Sequence, residues 1–330
     1  MENYISIIIP VYNSENKISR CLESLKAQTC HSFEVIFVDD QSSDNTLRVL
    51  CHFKNEVSSL FAVSVFRNKL NLGPGPTRNF GVKQAKGNYI LFLDSDDYLA
   101  HNTIGLLIDT IARVKAEAII FDVYFERCGG NRQYMINNIV YKDEPSCYIS
   151  IENAIKHTGA AIHGKAFLRD MLIEHNIEFA NLMRNEDLVF TKVAFAFCNK
   201  IYYLRNALYY YVQCDHSIMH DDKLISVESS IVAYREIEKR LAGRFDYELK
   251  VLYVREVIYS NIIKRFYLGA TIDEIKKELN VINIKALLEP IKKDAVFFSR
   301  FQRTYLFLAK YSFVSLLSLL AKVKKFINSR

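Results

Sequence analysis

The stretch YILFLDSDD, residues 89–97, joins a purely apolar run to three carboxylates. Its first five residues predict a strand that is buried on both faces, as in a parallel sheet. Asp94, Asp96 and Asp97 follow at once, and like charges this close repel one another unless a positive group lies among them. We therefore expect a positive group at the end of this strand.

Three more strands, separated by helices, are predicted upstream of this stretch. The predicted strands cover residues 5–10, 33–38 and 61–66, and the predicted helices follow Asn13 or Ser14 and cover residues 44–55 and 77–86. This alternation predicts an α/β fold in which helices flank a mostly parallel sheet. Further along, strands are predicted over 118–125 and 135–141, helices over 167–175 and 188–197, and a helical region from Leu224 onward.

Polar side chains follow three of the predicted strands. Tyr12 follows the first strand, and Asp39 and Asp40 follow the second. Because ligands bind outside the carboxyl ends of the strands in such sheets, we expect these side chains to line one site. Asp94 and Asp96 suit Mg²⁺ or Mn²⁺, which take oxygen ligands from carboxylates and substrate phosphates. The alternative for these two acids is the capping of a helix start.

A nucleobase is a plausible ligand for the second strand end. Asp39 can accept a hydrogen bond from a base N–H, and Tyr12 offers a stacking surface. The alternative for Asp39 is a turn residue ahead of the next helix. The sequence contains neither G-x-G-x-x-G nor G-x-x-x-x-G-K-[ST], so the dinucleotide and P-loop modes lack their glycines.

Other candidates each have a functional and a structural interpretation. Arg78 follows a Gly–Pro loop and could reach a diphosphate, or it could be a surface arginine. Glu186 and Asp187 open an apolar helix, as caps or with one of them as a general base. His216 and His220 follow the predicted strand LYYYV, where a histidine could complete a metal shell or be structural.

The net charge of +6 is concentrated at the C-terminus. Residues 292–330 contain nine Lys or Arg and one acid, so the rest of the chain carries about −2. Binding to nucleic acid would need basic residues spread over a folded face, so we expect no nucleic-acid partner. The longest uncharged run in this region is 11 residues, 311–321, which is too short to span a bilayer. This pattern favours a basic amphipathic helix on the membrane surface, with a core helix as the alternative.

The cysteines indicate a reducing compartment. There are seven of them, an odd number, and no C-x-x-C pair, which argues against a zinc site or a disulfide framework. The N-terminus lacks the basic region of a signal peptide. We expect a cytoplasmic protein attached peripherally to the inner membrane.

The chain resembles the bacterial family 2 glycosyltransferases, inverting enzymes with the GT-A fold. The matching segments, in the family's order over residues 4–215, are ISIIIPVYNSENKISRCLESLKAQT, FEVIFVDDQSSDNT, NLGPGPTRNFGVKQAKGNYILFLDSDD, HGKAFLRDMLIEHNIEF and NEDLVF. The resemblance implies a Rossmann-like nucleotide-sugar-binding half over 1–100, an acceptor-binding half over 101–220 and a helical extension with a basic tail over 221–330.

The resemblance also implies roles for individual residues. The nucleotide-sugar would be bound by Pro10, Tyr12, Glu15, Asp39, Asp40, Arg78, Asp94 and Ser95. The metal, Mn²⁺ or Mg²⁺, would be held by Asp96, Asp94 and His216. Asp187 would be the catalytic base with Glu186 beside it, and Lys165 and His163 would lie on the acceptor side. The sequence departs from the family pattern at Thr77 (usually alanine), His163 (commonly tryptophan) and Val212 (often arginine).

The implied function is transfer of a sugar from a nucleotide-diphospho-sugar, a UDP-sugar, to a glycan or lipid-linked glycan in surface polysaccharide synthesis. A nucleotidyltransferase is one alternative, but its glycine-rich basic loop is missing from VYNSENK. A catalytically inert membrane scaffold is another, against which stands the presence of Asp39, Asp94, Asp96 and Asp187.

Overall fold

A computed structural model describes residues 4–127, 132–135, 145–182, 184–213, 227–260, 266 and 271–281, with the single residues 303, 304, 307 and 317. The chain divides into two compact units, Met1–His216 and Ser217–Arg330. The acidic stretch and its neighbouring strand ends all belong to the first unit.

The first half of unit one is the predicted alternation of strands and helices. The strands are β1 (Ile5–Val11), β2 (Phe33–Asp39), β3 (Ala62–Arg67) and β4 (Tyr89–Phe92), and the helices are α1 (Ser19–Lys26), α2 (Thr46–Glu56) and α3 (Pro74–Gln84). The strands pair in the order β3-β2-β1-β4, and every pairing is parallel. β1 and β2 are buried almost throughout because helices cover both faces, as their apolar sequences predict.

Helix α3 packs unusually closely on this sheet. A Cβ atom at Gly81 would lie 2.4 Å from Cγ2 of Ile8 in β1, so only glycine allows this approach. The close packing fixes the helix at the carboxyl edge of the sheet and buries Arg78, which is 5% exposed.

The second half of unit one extends the sheet. Its elements are β5 (Tyr98–Leu99), α4 (Thr103–Val114), β6 (Ala118–Arg127), β7 (Arg132–Met135), β8 (Cys147–Ile149), α5 (Ile151–His157), β9 (Lys165–Leu168), α6 (Arg169–Glu174), α7 (Glu186–Phe197) and β10 (Ile201–Gln213). The order continues β4-β9-β6-β10-β5, with β9 antiparallel to both of its neighbours and β6 parallel to β10. The sheet is therefore parallel in its first half and mixed in its second.

Two secondary-structure predictions need correction. The helix predicted over 167–175 begins only at Arg169, because Phe167 and Leu168 belong to β9. Phe167 pairs with Ile90 and Ala118, distant residues that local periodicity cannot reveal. The strand predicted over 135–141 occupies Arg132–Met135, and residues 136–141 lie outside the described part.

Unit two is helical where it is described, as predicted. It contains α8 (Val227–Leu241), α9 (Asp246–Tyr253), a π-helical segment (Val254–Ser260) and α10 (Ile272–Val281). The described residues include no helix with the length and apolar character needed to cross a bilayer. The predicted amphipathic tail lies almost wholly outside them.

Candidate active site

Arg78 is the positive group that the acidic stretch requires. Its Nη2 lies 2.7 Å from Oδ1 of Asp94, and its Nη1 lies 3.1 Å from Oδ1 of Asp187 and 3.3 Å from Oε1 of Glu186. The Arg78 side chain is only 6% exposed, and its Cζ lies 5.3 Å from the centre of the Phe179 ring. One guanidinium therefore joins the end of β4 to the start of α7. The sequence alone could not show this contact, because the residues involved are separated by about a hundred positions.

The pair that begins α7 has the properties of a proton-accepting site. Oδ2 of Asp187 accepts a hydrogen bond of 3.0 Å from the Ile162 amide, and the side chain is 25% exposed. Burial raises the pKa of Asp187, and the Arg78 charge opposes that rise. Burial and the neighbouring Asp187 charge raise the pKa of Glu186 to about 7. A partly exposed carboxylate of raised pKa at a cleft is a candidate general base.

The three acids of the opening stretch differ in their surroundings. Asp97 is 1% exposed, and it accepts hydrogen bonds from the Tyr209 hydroxyl at 2.6 Å and the Val212 amide at 2.8 Å. Asp97 therefore ties the acidic loop to β10. Asp94 pairs with Arg78, whereas the Asp96 side chain is exposed at the surface of the loop.

Asp94 and Asp96 have the chemistry of a two-carboxylate metal site. Desolvation by the surrounding protein and the neighbouring Asp94 charge raise the pKa of Asp96. A bound cation would relieve the repulsion between the two carboxylates. Within the described residues no three His, Cys, Asp or Glu side chains cluster as a metal site. Two carboxylates completed by substrate phosphates are a set that Mg²⁺ commonly takes, so the residues fit such an ion. His216 lies outside the described residues.

The predicted nucleotide-binding residues gather at the ends of β1, β2 and β4. Asp39 is fully buried; its Oδ1 accepts the Ser42 amide at 3.2 Å, and its Oδ2 lies 3.2 Å from Nε of Arg67. That Oδ2 atom has no hydrogen bond within the described chain, so it keeps the capacity to accept one. Tyr12 is 51% exposed and offers an open ring face.

The neighbouring predicted residues are positioned by their own contacts. Pro10 is partly exposed at the end of β1, and Oγ of Ser95 lies 3.0 Å from Oγ of Ser14, which links the acidic loop to the loop after β1. Glu15 accepts a hydrogen bond of 2.6 Å from the Asn45 amide at the start of α2. These contacts join the loops that follow β1, β2 and β4.

Asp40 has contacts that favour a structural role instead of base binding. Its carboxylate accepts hydrogen bonds from Nδ2 of Asn68 at 2.7 Å, the Leu72 amide at 3.0 Å and the Gly73 amide at 2.8 Å. Gly73 has φ of 82°, in the left-handed region, and directly precedes α3. Asp40 thus shapes the loop that delivers Arg78.

The two predicted acceptor residues are placed differently from each other. The Lys165 side chain is fully buried and its Nζ donates to the Ala161 carbonyl at 2.7 Å, so a direct contact with an acceptor is not what this geometry supports. The His163 ring stacks on Tyr209 and Tyr211, with centroids 5.3 and 5.1 Å apart. Burial and the Lys165 charge lower the pKa of His163 to about 4, so its imidazole is neutral at pH 7.

Tyr209 and Tyr211, which stack on His163, are not among the site residues predicted from the sequence. Because side chains alternate along a strand, positions 209 and 211 of β10 share one face and Tyr210 takes the other, where it stacks on Tyr98 at 4.4 Å. The period-two spacing of tyrosines within LYYYV is the sequence pattern that could have predicted that Tyr209 and Tyr211 share a face.

Comparison with known proteins identifies relatives of this chain. A family model described as glycosyl transferase family 2 matches residues 6–175. A poly(ribitol-phosphate) beta-glucosyltransferase of Bacillus spizizenii is 33% identical over 211 residues, covering 63% of this chain and 32% of the relative. The poly(ribitol-phosphate) beta-N-acetylglucosaminyltransferase TarS of Staphylococcus aureus is 32% identical over 219 residues, covering 62% of this chain and 35% of TarS. This chain spans about a third of the length of both relatives.

Solved structures share the fold. A fragment of S. aureus TarS in complex with UDP-GlcNAc matches with a TM-score of 0.73 at 24% identity, covering 98% of this chain and 91% of that one. The mannosyltransferase PcManGT of Pyrobaculum calidifontis, in complex with GDP-Man and Mn²⁺, matches with a TM-score of 0.51 at 15% identity, covering 100% and 89%. These likenesses agree with the predicted GT-A fold.

Proposed function

The chain belongs to glycosyltransferase family 2, and on that premise we propose that it transfers a sugar from a UDP-sugar to a hydroxyl of a glycan or lipid-linked glycan. The supporting observation is the Arg78 cluster, which holds a donor-side carboxylate, Asp94, and a candidate base, Asp187, on one guanidinium. Donor and acceptor chemistry would therefore meet at one buried cation.

The proposed reaction is a single displacement. Asp187 takes the proton of an acceptor hydroxyl, the acceptor oxygen forms a bond to the anomeric carbon, and the bond from that carbon to the diphosphate breaks on the opposite side. The nucleoside diphosphate leaves with the bonding electron pair, and an α-linked donor gives a β-glycoside. A divalent metal bound by Asp94 and Asp96 would supply positive charge for the departing diphosphate.

The donor and the acceptor are proposed on different grounds. Glucosyl and N-acetylglucosaminyl transfer in the names of the relatives, and UDP-GlcNAc in a structure of the same fold, support a UDP-hexose or UDP-N-acetylhexosamine donor. The names of both relatives specify poly(ribitol-phosphate), which supports a polymeric, hydroxyl-bearing acceptor and a place in surface polysaccharide synthesis. The departure at His163 concerns the acceptor side, where we expect this chain to differ from its relatives.

The proposal is tested by measuring UDP release from a panel of UDP-sugars, with Mn²⁺ and with EDTA. We expect metal-dependent UDP release from at least one donor. Release of pyrophosphate from a sugar phosphate and UTP would instead identify a nucleotidyltransferase. UDP binding without turnover of any donor, across a panel of glycan and lipid-linked acceptors, would support the inert scaffold.

Attachment to the membrane surface is proposed from the charge of residues 292–330, nine basic residues against one acid. We expect the full chain to sediment with vesicles containing anionic lipid and a chain lacking residues 304–330 to remain in the supernatant. Cosedimentation of the shortened chain would refute the role of the tail.

Substitution of Asp96 by asparagine should weaken metal-dependent UDP binding. Its exposed carboxylate is the one that Arg78 leaves unpaired, so we expect Mn²⁺-dependent affinity for UDP to fall on the order of tenfold, or about 1.4 kcal/mol. Calorimetric titration with and without Mn²⁺ measures the effect. The affinity without metal serves as the control, and an unchanged affinity with Mn²⁺ would remove Asp96 from the metal site.

The acid limb of the pH dependence of transfer should lie above the pKa of an ordinary aspartate. Burial raises the pKa of Asp187, and the base acts only when deprotonated, so activity is present above the raised pKa and is lost as pH falls through it. We expect the acid limb of kcat/KM for UDP release to lie above the pKa of about 3.9 of an unperturbed aspartate, and a limb at or below that value would contradict the assignment. Circular dichroism at each pH separates this decline from unfolding. It is preferred to tryptophan fluorescence because the chain has no tryptophan.

A further inference from the structure

Two lysines are completely buried in the same part of unit one, and each directs its amine at backbone carbonyls. Lys165 lies in β9 and Lys192 in α7. Burying an ammonium group is costly unless it is well hydrogen-bonded. The hydrogen bonds that a buried lysine makes to backbone carbonyls therefore fix the backbone segment that carries them. The two lysines hold different segments.

Lys165 holds the peptide unit that joins Ala161 to Ile162. Its Nζ donates to the Ala161 carbonyl at 2.7 Å, which shares its peptide plane with the Ile162 amide, and lies 3.4 Å from the His163 carbonyl. The Ile162 amide in turn donates to Oδ2 of Asp187 at 3.0 Å. The Lys165 amine thus fixes the peptide unit whose N–H contacts the candidate base.

Asp187 is held at both oxygens, and the two contacts come from different elements. Arg78 of α3 contacts Oδ1, and the Ile162 amide of the loop before β9 contacts Oδ2. Arg78 is shared with Asp94 and Glu186, so it does not by itself define one orientation of the Asp187 carboxylate. The Ile162 contact supplies the second point that fixes the carboxylate plane.

We propose that Lys165 is a positioning residue, which orients the Ile162 amide so that this amide aims the Asp187 carboxylate at the acceptor hydroxyl. The proposal rests on the proposed role of Asp187 as the base. It assigns to Lys165 a role that does not require contact with the acceptor.

The electrostatic surroundings agree with this geometry. Burial lowers the pKa of Lys165 to about 7 and the Asp187 charge opposes that shift, so the two groups sense each other. Arg78, Asp94, Glu186 and Lys165 are the charged groups that act on Asp187 or share its cluster. With no exposed surface, the Lys165 amine has no path to a substrate, and its influence passes through the loop of residues 161–163.

Lys192 provides a matched control. It is as buried as Lys165, and its Nζ donates to the Thr158 carbonyl at 2.8 Å and lies 3.4 Å from the Ala154 carbonyl, at the end of α5. Substitution of either lysine by methionine removes a buried amine and keeps a side chain of similar length. Only K165M removes the support of the Ile162 peptide.

The test compares K165M and K192M in UDP release from UDP-GlcNAc, or from whichever UDP-sugar the donor panel identifies. Misplacement of a reacting group by about 1 Å can cost ~100-fold, and we expect K165M to lower kcat by 10- to 100-fold. The KM for the donor and the affinity for UDP with Mn²⁺ should stay within about threefold. K192M should keep kcat within about threefold of wild type even if its unfolding midpoint falls as far as that of K165M. Equal losses of kcat in both variants would overturn the proposal.

A double-mutant cycle separates action through Asp187 from general damage. If Lys165 acts through Asp187, K165M should cost nothing further in a D187N background, whereas an independent structural effect would be additive. Should K165M fail to fold, K165Q replaces it in the same cycle, and additivity would again contradict the proposal. A large loss in D187N with none in K165M defeats this inference alone, while full activity of D187N defeats the base assignment itself.

Discussion

Substitution of Asp187 by asparagine is expected to abolish most sugar transfer while leaving donor binding intact. Asparagine has nearly the same shape but cannot accept a proton at neutral pH, and general base catalysis typically contributes ~10²–10⁴-fold. We expect kcat to fall by that factor. The affinity for UDP with Mn²⁺ should change by no more than a few fold, because Asp94 and Asp96, the carboxylates proposed to hold the metal and donor, remain.

The matched control for this variant is E186Q. Glu186 is adjacent on α7 and contacts the same guanidinium, but its side chain is 13% exposed against 25% for Asp187, and no Ile162 amide orients it. We expect E186Q to lose far less activity than D187N. If the two losses were reversed, Glu186 would be the base. Transfer at wild-type rate by D187N would remove Asp187 from that role.

Substitution of Arg78 by methionine is expected to cause the largest loss of stability. It removes the cation shared by Asp94, Glu186 and Asp187 and leaves three neighbouring carboxylates without their counter-charge. Removal of one partner from a buried ion pair typically costs about 3–5 kcal/mol. Chemical denaturation followed by circular dichroism measures this change in the free energy of unfolding.

The R78M loss should depend on pH in a defined direction. Without the guanidinium, burial and mutual repulsion raise the pKa values of Glu186 and Asp187 in the folded state further above their unfolded values, because the Arg78 charge opposes this rise in the wild type. The folded state then holds more protons, so its stability falls as pH rises through the raised pKa values. The destabilisation should be larger at pH 8 than at pH 5, and a loss that is equal at both pH values would contradict this explanation.

K83M provides the control on the same helix. Lys83 pairs with Glu178 at 2.9 Å, but the two side chains are 64% and 50% exposed. Exposed pairs of this kind contribute about 0–1 kcal/mol, so we expect K83M to be close to wild type. A loss in K83M as large as in R78M would mean that disturbance of α3, and not loss of the charge cluster, explains the R78M result.

The sequence predicted the first half of the sheet well because β1, β2 and β4 are apolar runs buried almost throughout, and the half-exposed edge strand β3 is still a β-branched and aromatic run. The apolar runs at 5–10, 33–38 and 61–66 each became a strand within one or two residues of the predicted ends. Local patterning is sufficient where burial is uniform and helices alternate with strands. β9 was missed because its pairing with β4 and β6 joins residues far apart in sequence.

The candidate site was predicted by residue type more successfully than by contact. The opening stretch required a positive group, and a divalent metal was the expected source, yet in the structure Arg78 already neutralises Asp94. No local spacing relates Arg78 to Asp187, because only the packing of α3 and α7 brings them together. Similarly, Asp40 and Lys165 have suitable chemistry for ligands, but their carboxylate and amine are engaged by backbone groups.

The measurement that tests the central claim most directly is the anomeric configuration of the product. Wild-type protein is supplied with an α-linked UDP-sugar of gluco configuration and the acceptor that supports turnover, and the coupling between H1 and H2 of the new glycoside is read by NMR. We expect the large diaxial coupling of a β-glycoside, as a single displacement assisted by Asp187 requires. The small coupling of an α-glycoside would contradict it.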